Sequence, residues 1–196
     1  MKEENRIPKI VHYIWFGHGE KSEKVKKCIE SWKKFLPDYE IREWNEDNFN
    51  VFYNKFTKQA YEAKKWAFVS DVARLWVLYN YGGIYMDTDV EVYKSLDEFL
   101  DEEAFTGFED INYPVNATFG SRKGNLLVKE LLDYYDDKDF SDLTNTKIIS
   151  NIFEEKGIDR TKNEIQSIEG ITVYPIEYFN NENGYTKHHM EGSWLK

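Results

Sequence analysis

The chain is poor in the residues that staple or loosen small proteins: among 196 residues there are one cysteine, four prolines and eleven glycines. A lone Cys28 excludes an intramolecular disulfide framework, and its place beside Ile29 and Trp32 predicts a buried, reduced thiol. Scarce glycine and proline beside 17% aromatic residues exclude a disordered chain and predict a packed globular one. Positive charge is also short. Lysine and arginine number 26 against 36 aspartate and glutamate, a net charge of −10 with no basic block, so nucleic acid is not expected as a partner. An acidic surface also repels phosphorylated ligands, so such a substrate needs a metal ion or a local set of donors. Long apolar runs are missing as well: nothing approaches the ~20 residues of a membrane span, and no apolar leader segment follows Met1-Lys-Glu-Glu-Asn-Arg6. The expectation is one compact domain over 1–196, in the cytoplasm, with peripheral membrane contact left open.

What is present alternates between strand and helix patterns. Residues 9–17 form an apolar, β-branched and aromatic run ending at Gly17, a buried strand. Ser22 then caps a helix with apolar positions at 25, 28, 29, 32, 35 and 36, stopped by Pro37. A strand is expected over 39–44, a helical region over 47–64, and a helix apolar nearly all round over 65–81, ended by Gly82-Gly83. Strands follow at 84–93, 104–108, 117–121, 165–168 and 171–174, and amphipathic helices at 126–135 and 147–156. From Asn180 the tail reads as polar. Such alternation predicts an α/β sheet covered by helices, with ligands at the carboxyl ends of its strands.

Three groups of residues carry candidate chemistry. Asp87-Thr88-Asp89 places two carboxylates at i and i+2, which on an extended backbone share one face and can share a hard divalent cation such as Mg²⁺ or Mn²⁺. Asp71 and Arg74, one helical turn apart, are the only charges between Trp66 and Leu78. They form either an internal ion pair or a ligand-facing pair in which Arg74 neutralises phosphate. The tail gathers His188, His189, Ser193 and Trp194 within a few residues, either as an exposed terminus or as part of a site. Trp15 reads as core or as a stacking platform, and His12 as core or rim.

Taken in order, Ile7-Pro-Lys-Ile-Val-His-Tyr-Ile-Trp-Phe-Gly17, Ser31-Trp-Lys-Lys34, Pro37-Asp-Tyr-Glu-Ile41, Trp44-Asn45, Ala67-Phe-Val-Ser-Asp-Val-Ala-Arg-Leu75, Leu78-Tyr-Asn-Tyr-Gly-Gly-Ile-Tyr-Met-Asp-Thr-Asp89, His188-His189 and Ser193-Trp194 resemble the DXD-containing sugar-binding glycosyltransferases. These are the capsular-polysaccharide and Och1-like mannosyltransferase group (glycosyltransferase family 32), distantly similar to the glucosylating domain of large clostridial toxins. The resemblance implies a GT-A type fold, a Rossmann-like mixed sheet flanked by helices. It also implies a metal-dependent, retaining hexosyltransferase in bacterial capsular or surface polysaccharide synthesis. The donor would be a nucleotide-sugar, a UDP-hexose or GDP-mannose, and the acceptor a saccharide or lipid-linked saccharide. By the same resemblance Trp15 stacks on the base, Asp71 and Arg74 bind ribose or donor sugar, and Asp87, Thr88 and Asp89 hold diphosphate and metal. Asn116 contacts the donor sugar, while His189, Ser193 and Trp194 complete the site. Asp71, Arg74, Asp87 and Asp89 form the catalytic set.

Two other classes compete. A glycoside hydrolase also uses paired carboxylates but needs no metal. A non-catalytic metal-dependent nucleotide-sugar or carbohydrate-binding homologue would keep the aspartates without turnover.

Overall fold

The computed structural model describes residues 5–191. Its first strand, β1 (Ile10–Ile14), is followed by α1 (Glu23–Phe35), β2 (Glu40–Trp44), α2 (Lys55–Glu62), α3 (Trp66–Tyr81), β3 (Gly83–Met86) and β4 (Val90–Val92). Then come β5 (Ala104–Gly107), β6 (Thr118–Ser121), α4 (Leu126–Asp133), α5 (Asn145–Glu155), β7 (Gln166–Ile168), β8 (Ile171–Tyr174), α6 (Ile176–Phe179) and β9 (Thr186–His188). Seven strands make one mixed sheet in the order β2-β1-β3-β6-β5-β8-β7, and β4 pairs with β9 in a separate two-stranded ribbon. Parallel pairing of β2, β1 and β3 puts the ends of β1 and β3 at one rim. From β3 the sheet turns antiparallel through β6 to β5. This mixed sheet with flanking helices is the α/β architecture the alternation predicts.

Helix α3 sits at the centre because it has almost no polar face. Val69, Val72, Ala73, Leu75, Val77 and Leu78 are fully buried, and each large aliphatic side chain among them contributes on the order of 2 kcal/mol. The chain must then leave a buried helix and enter a buried strand within two residues. Gly82 (φ 67) and Gly83 (φ 108) make that possible: a Cβ at Gly83 would lie 2.7 Å from the Ile10 carbonyl and 2.9 Å from His12 Nε2. His12 proves to be core. Trp44 Nε1 donates to its Nδ1 at 3.0 Å, its Nε2 lies 2.7 Å from the Gly82 carbonyl, and burial lowers its pKa to about 4. The neutral ring therefore pins the Gly-Gly corner to β1 and β2. Cys28 is buried, and desolvation raises its thiol pKa to about 12, so it is an inert core group.

On the other face, α1 supports the ribbon. Trp32 Nε1 donates to the Val90 carbonyl at 2.7 Å, and Ser31 Oγ accepts the Val92 N–H at 2.9 Å. Ser22 caps the helix by accepting from Val25 N, as its sequence position predicts.

Three local expectations change. The helix expected over 47–64 shrinks to Lys55–Glu62, because Asn45, Asn48 and Asn50 accept nearby backbone N–H groups and hold the preceding residues in turns. The strand expected over 84–93 breaks at Asp87, where the Val90 N–H returns to the Asp87 carbonyl at 3.0 Å. The polar tail from Asn180 contains β9, whose partner β4 lies almost a hundred residues earlier.

Candidate active site

The break after β3 brings the acidic motif to the rim. The Asp87 N–H donates to the Ala117 carbonyl at 3.0 Å, extending the β3–β6 ladder by one residue, and the chain then turns through Thr88 and Asp89 into β4. The two carboxylates are thus presented by a tight turn, not by the extended backbone expected from their i, i+2 spacing.

Behind Asp87 stands α3. The Arg74 guanidinium lies 3.1 Å from Asp71 Oδ1 and 3.3 Å from Asp87 Oδ1, with its Cζ 4.6 Å from the Tyr85 ring centre. Tyr85 also donates its hydroxyl to Asp87 Oδ1 at 2.7 Å. Burial opposes Arg74's charge, but Asp87, Tyr85 and Asp71 outweigh it and raise the pKa, so the cation is permanent. Asp71 Oδ2 accepts the Asn145 N–H at 3.2 Å, at the start of α5, where the helix dipole favours a carboxylate. Desolvation nevertheless raises the Asp71 pKa to about 6. Asp71 and Arg74 form the internal ion pair, and the same guanidinium also reaches Asp87 of the motif.

In front of the carboxylates stands the ribbon. Pairing of β4 with β9 sets Val90 opposite His188, and the His188 Nε2 comes to 3.2 Å from Asp89 Oδ1 and 4.0 Å from Asp87 Oδ2. Its Nδ1 lies 2.6 Å from Glu109 Oε1. Burial would lower the His188 pKa, but hydrogen bonds to Asp89 and Glu109 and the charge of Asp87 raise it to about 10. Desolvation likewise works against the Asp89 carboxylate, but the hydrogen bond and charge of His188, together with backbone N–H donors, outweigh it and lower the pKa. Asp87, Asp89 and His188 offer three ligand atoms within 4.8 Å of one another. The donor set fits a divalent cation: two carboxylate oxygens, one imidazole nitrogen, and a carboxylate on the far ring nitrogen that orients the histidine. A bound cation would take the place of the Nε2 proton.

His189, the histidine expected at the metal, faces elsewhere. Its Nε2 lies 2.8 Å from Glu91 Oε2, with Lys27 Nζ 3.7 Å from the same carboxylate. Adjacent side chains leave a strand on opposite faces, so pairing at Val90↔His188 decides which imidazole meets the motif. Trp15 is half-buried just past β1, its Nε1 donating to the Gly19 carbonyl at 2.7 Å and its ring 5.3 Å from Lys21 Nζ. Thr88 is half-buried in the turn. The extended β3–β6 ladder carries Asn116 to the same rim; its Oδ1 accepts the Thr118 N–H at 2.8 Å, and its buried Nδ2 has no partner among the described residues. Ser193 and Trp194 lie outside the described residues. Sequence reasoning missed Tyr85, Glu109 and Asn145. Only Tyr85 had a signal, its place two residues before Asp87.

Residues 22–106 match the family described as "Glycosyltransferase sugar-binding region containing DXD motif". The chain is 27% identical over 193 residues, 90% of its length and 76% of the relative's, to an uncharacterized glycosyltransferase of Acanthamoeba polyphaga mimivirus. It is 32% identical over 130 residues, 61% of its length and 34% of the relative's, to inositol phosphoceramide mannosyltransferase 3 of Schizosaccharomyces pombe. This chain thus spans about a third of that yeast protein. Among solved structures, the PaToxG glycosyltransferase aligns at TM-score 0.55 with 21% identity, over 80% of this chain and 64% of the other. A glycosyltransferase involved in glycosylation of the major capsid of PBCV-1 aligns at TM-score 0.53 with 13% identity, over 96% of each. The fold is thus that of GT-A glycosyltransferases. Residues 22–106, under half of the chain, carry the match to the DXD-containing sugar-binding region, and the relatives matched are named glycosyltransferases, which supports a transferase.

Proposed function

We propose that this protein is a retaining hexosyltransferase that moves a sugar from a nucleotide diphosphate donor to a saccharide acceptor with the help of a divalent cation. The observation that carries this reading is the meeting of Asp87, Asp89 and His188 within 4.8 Å, in front of the buried Arg74. Mn²⁺ suits a site with an imidazole ligand, and Mg²⁺ is the alternative. When bound, the cation would offset the charge of the departing diphosphate, which the acidic surface otherwise repels.

The chain's own residues have separate tasks. Arg74 keeps Asp87 in position and adds a fixed positive charge behind it. Asp71 has one oxygen on Arg74 and the other on the Asn145 N–H, which argues against its acting as a covalent nucleophile. Retention then follows from attack by the acceptor hydroxyl on the face the diphosphate leaves. The new C–O bond forms as the sugar–phosphate bond breaks, and a diphosphate oxygen takes the hydroxyl proton. A glycosyl adduct on Asp71, sought by mass spectrometry, would overturn this route. Trp15 stacks on the nucleobase, Thr88 and Asn116 contact diphosphate and sugar, and Ser193 and Trp194 belong to the same donor site.

UDP-hexose is the first donor to test. A second reading, GDP-mannose, is favoured by the mannosyltransferase names of the yeast relatives. For the acceptor we propose a saccharide or lipid-linked saccharide of surface or capsular polysaccharide, met at the cytoplasmic face of a bacterial membrane. No described helix is long and apolar enough to cross a membrane.

The test is thermal-shift titration with UDP, GDP and their sugar conjugates, each with Mn²⁺ or EDTA. A ligand at about 100 times its Kd adds about 2.7 kcal/mol of stability. The expected result is a Mn²⁺-dependent rise with one sugar nucleotide, lost in Asp89→Ala. A flat panel would favour the non-catalytic homologue.

A further inference from the structure

We propose that Glu46 is a positioning residue that sets the Trp15 indole for its ligand. The proposal rests on the reading of Trp15 as the nucleobase platform. Past β1 the chain reverses direction so that Trp15 Nε1 can reach the Gly19 carbonyl at 2.7 Å, and the reversal needs left-handed backbone at both Gly17 (φ 87) and His18 (φ 57). Gly17 has no room for a side chain, since a Cβ there would lie 2.6 Å from Trp66 Nε1. A non-glycine residue at positive φ persists only where its surroundings over-determine it.

Glu46 supplies that constraint. Its Oε1 accepts the Gly17 N–H at 2.7 Å and the Tyr61 hydroxyl at 3.3 Å, with His18 Nε2 3.8 Å away. The side chain is only 11% exposed, and its Oε2 is buried with no partner among the described residues. A carboxylate buried with one oxygen unpaired is expensive. The other oxygen does specific work: it ties the end of β1, the loop after β2 and helix α2 to one point, and the Trp15 turn hangs from that point. Glu46 acts on the ligand through Gly17 and Trp15 without touching it.

A double-mutant cycle tests this, with UDP and GDP titrated in the presence of Mn²⁺ and melting temperatures recorded in parallel. Glu46→Ala is expected to weaken nucleotide binding about tenfold in the parent. In a Trp15→Ala background it should cause no further loss. Glu46→Gln retains an acceptor oxygen for Gly17 and should stay within about threefold of the parent. If Glu46→Ala does not fold, Glu46→Asp, one methylene too short to reach Gly17, replaces it. Equal losses in the two backgrounds would overturn the proposal, as would full affinity in Glu46→Ala while Trp15→Ala binds weakly. Unchanged binding in Trp15→Ala would instead sink the platform reading, and this proposal with it.

Discussion

Two walls of the candidate site neutralise carboxylates, and they do it with different cations. On the α3 side Arg74 lies between Asp71 and Asp87, largely buried against the Tyr85 ring, and cannot lose its charge. On the ribbon side His188 lies between Asp89 and Glu109 and carries its charge only as a proton. The difference suits the proposed metal-dependent transfer, in which one positive charge would stay while the other would yield its place to an incoming ion. A third buried group, His12, marks the contrast: with a carbonyl and an indole N–H for partners it is neutral. Burial is common to both histidines, so the charge of the partners decides the sign of the shift.

The most severe way to break the comparison is to remove the permanent cation. Arg74→Met leaves Asp71 and Asp87 facing each other without compensation, which is expected to cost about 3–5 kcal/mol in urea unfolding and to abolish measurable sugar transfer. Next comes the neutral histidine. The folded-state pKa of His12, about 4, lies below its ordinary value, so its contribution is present above pH 6.5 and is lost as pH falls through 4. Unfolding followed from pH 7 to 4 should show about 3 kcal/mol more loss in the parent than in His12→Gln.

On the ribbon, the histidine sign reverses. His188 has a raised folded-state pKa, so in EDTA its stabilisation is complete below pH 6.5 and is lost as pH rises through about 10. Binding of Mn²⁺ should therefore release about one proton, and its affinity should rise nearly tenfold per pH unit between pH 7 and 9. Calorimetry in buffers of different ionisation enthalpy measures both, and His188→Gln should bind Mn²⁺ on the order of 100-fold more weakly with no proton release. The smallest effect is expected next door: His189→Ala, which loses only its Glu91 contact, should change Mn²⁺ affinity less than twofold in the same titration.

Much of this arrangement was legible in order along the chain. The apolar run of β1, the Ser22 cap, the all-round apolar α3 and the Gly82-Gly83 corner each carry a local signal, and each appears where that signal puts it. Local chemistry misleads where a competing local bond is cheaper. The asparagines after Trp44 satisfy backbone groups in turns and delay α2 to its Asn54–Thr57 capping box. The acidic motif was visible, but its turn was not, because the Asp87 N–H finds its partner thirty residues away at Ala117. Glu109 and Asn145 had no signal at all, since each matters only through a contact with a segment far away in the chain.

What the residues determine alone is therefore the inventory and its local geometry: two aspartates after a buried strand, an arginine one turn from a third aspartate, and two histidines near the end. Choosing between His188 and His189 needed the antiparallel register of β4 and β9, because a one-residue slip moves every side chain of a strand to its other face. The charge of His188 needed Glu109 and Asp89 on either side of one ring, contributed by segments far apart in the chain. Periodicity is a property of neighbours in sequence, while register and partner charge belong to residues that meet only after the chain has folded.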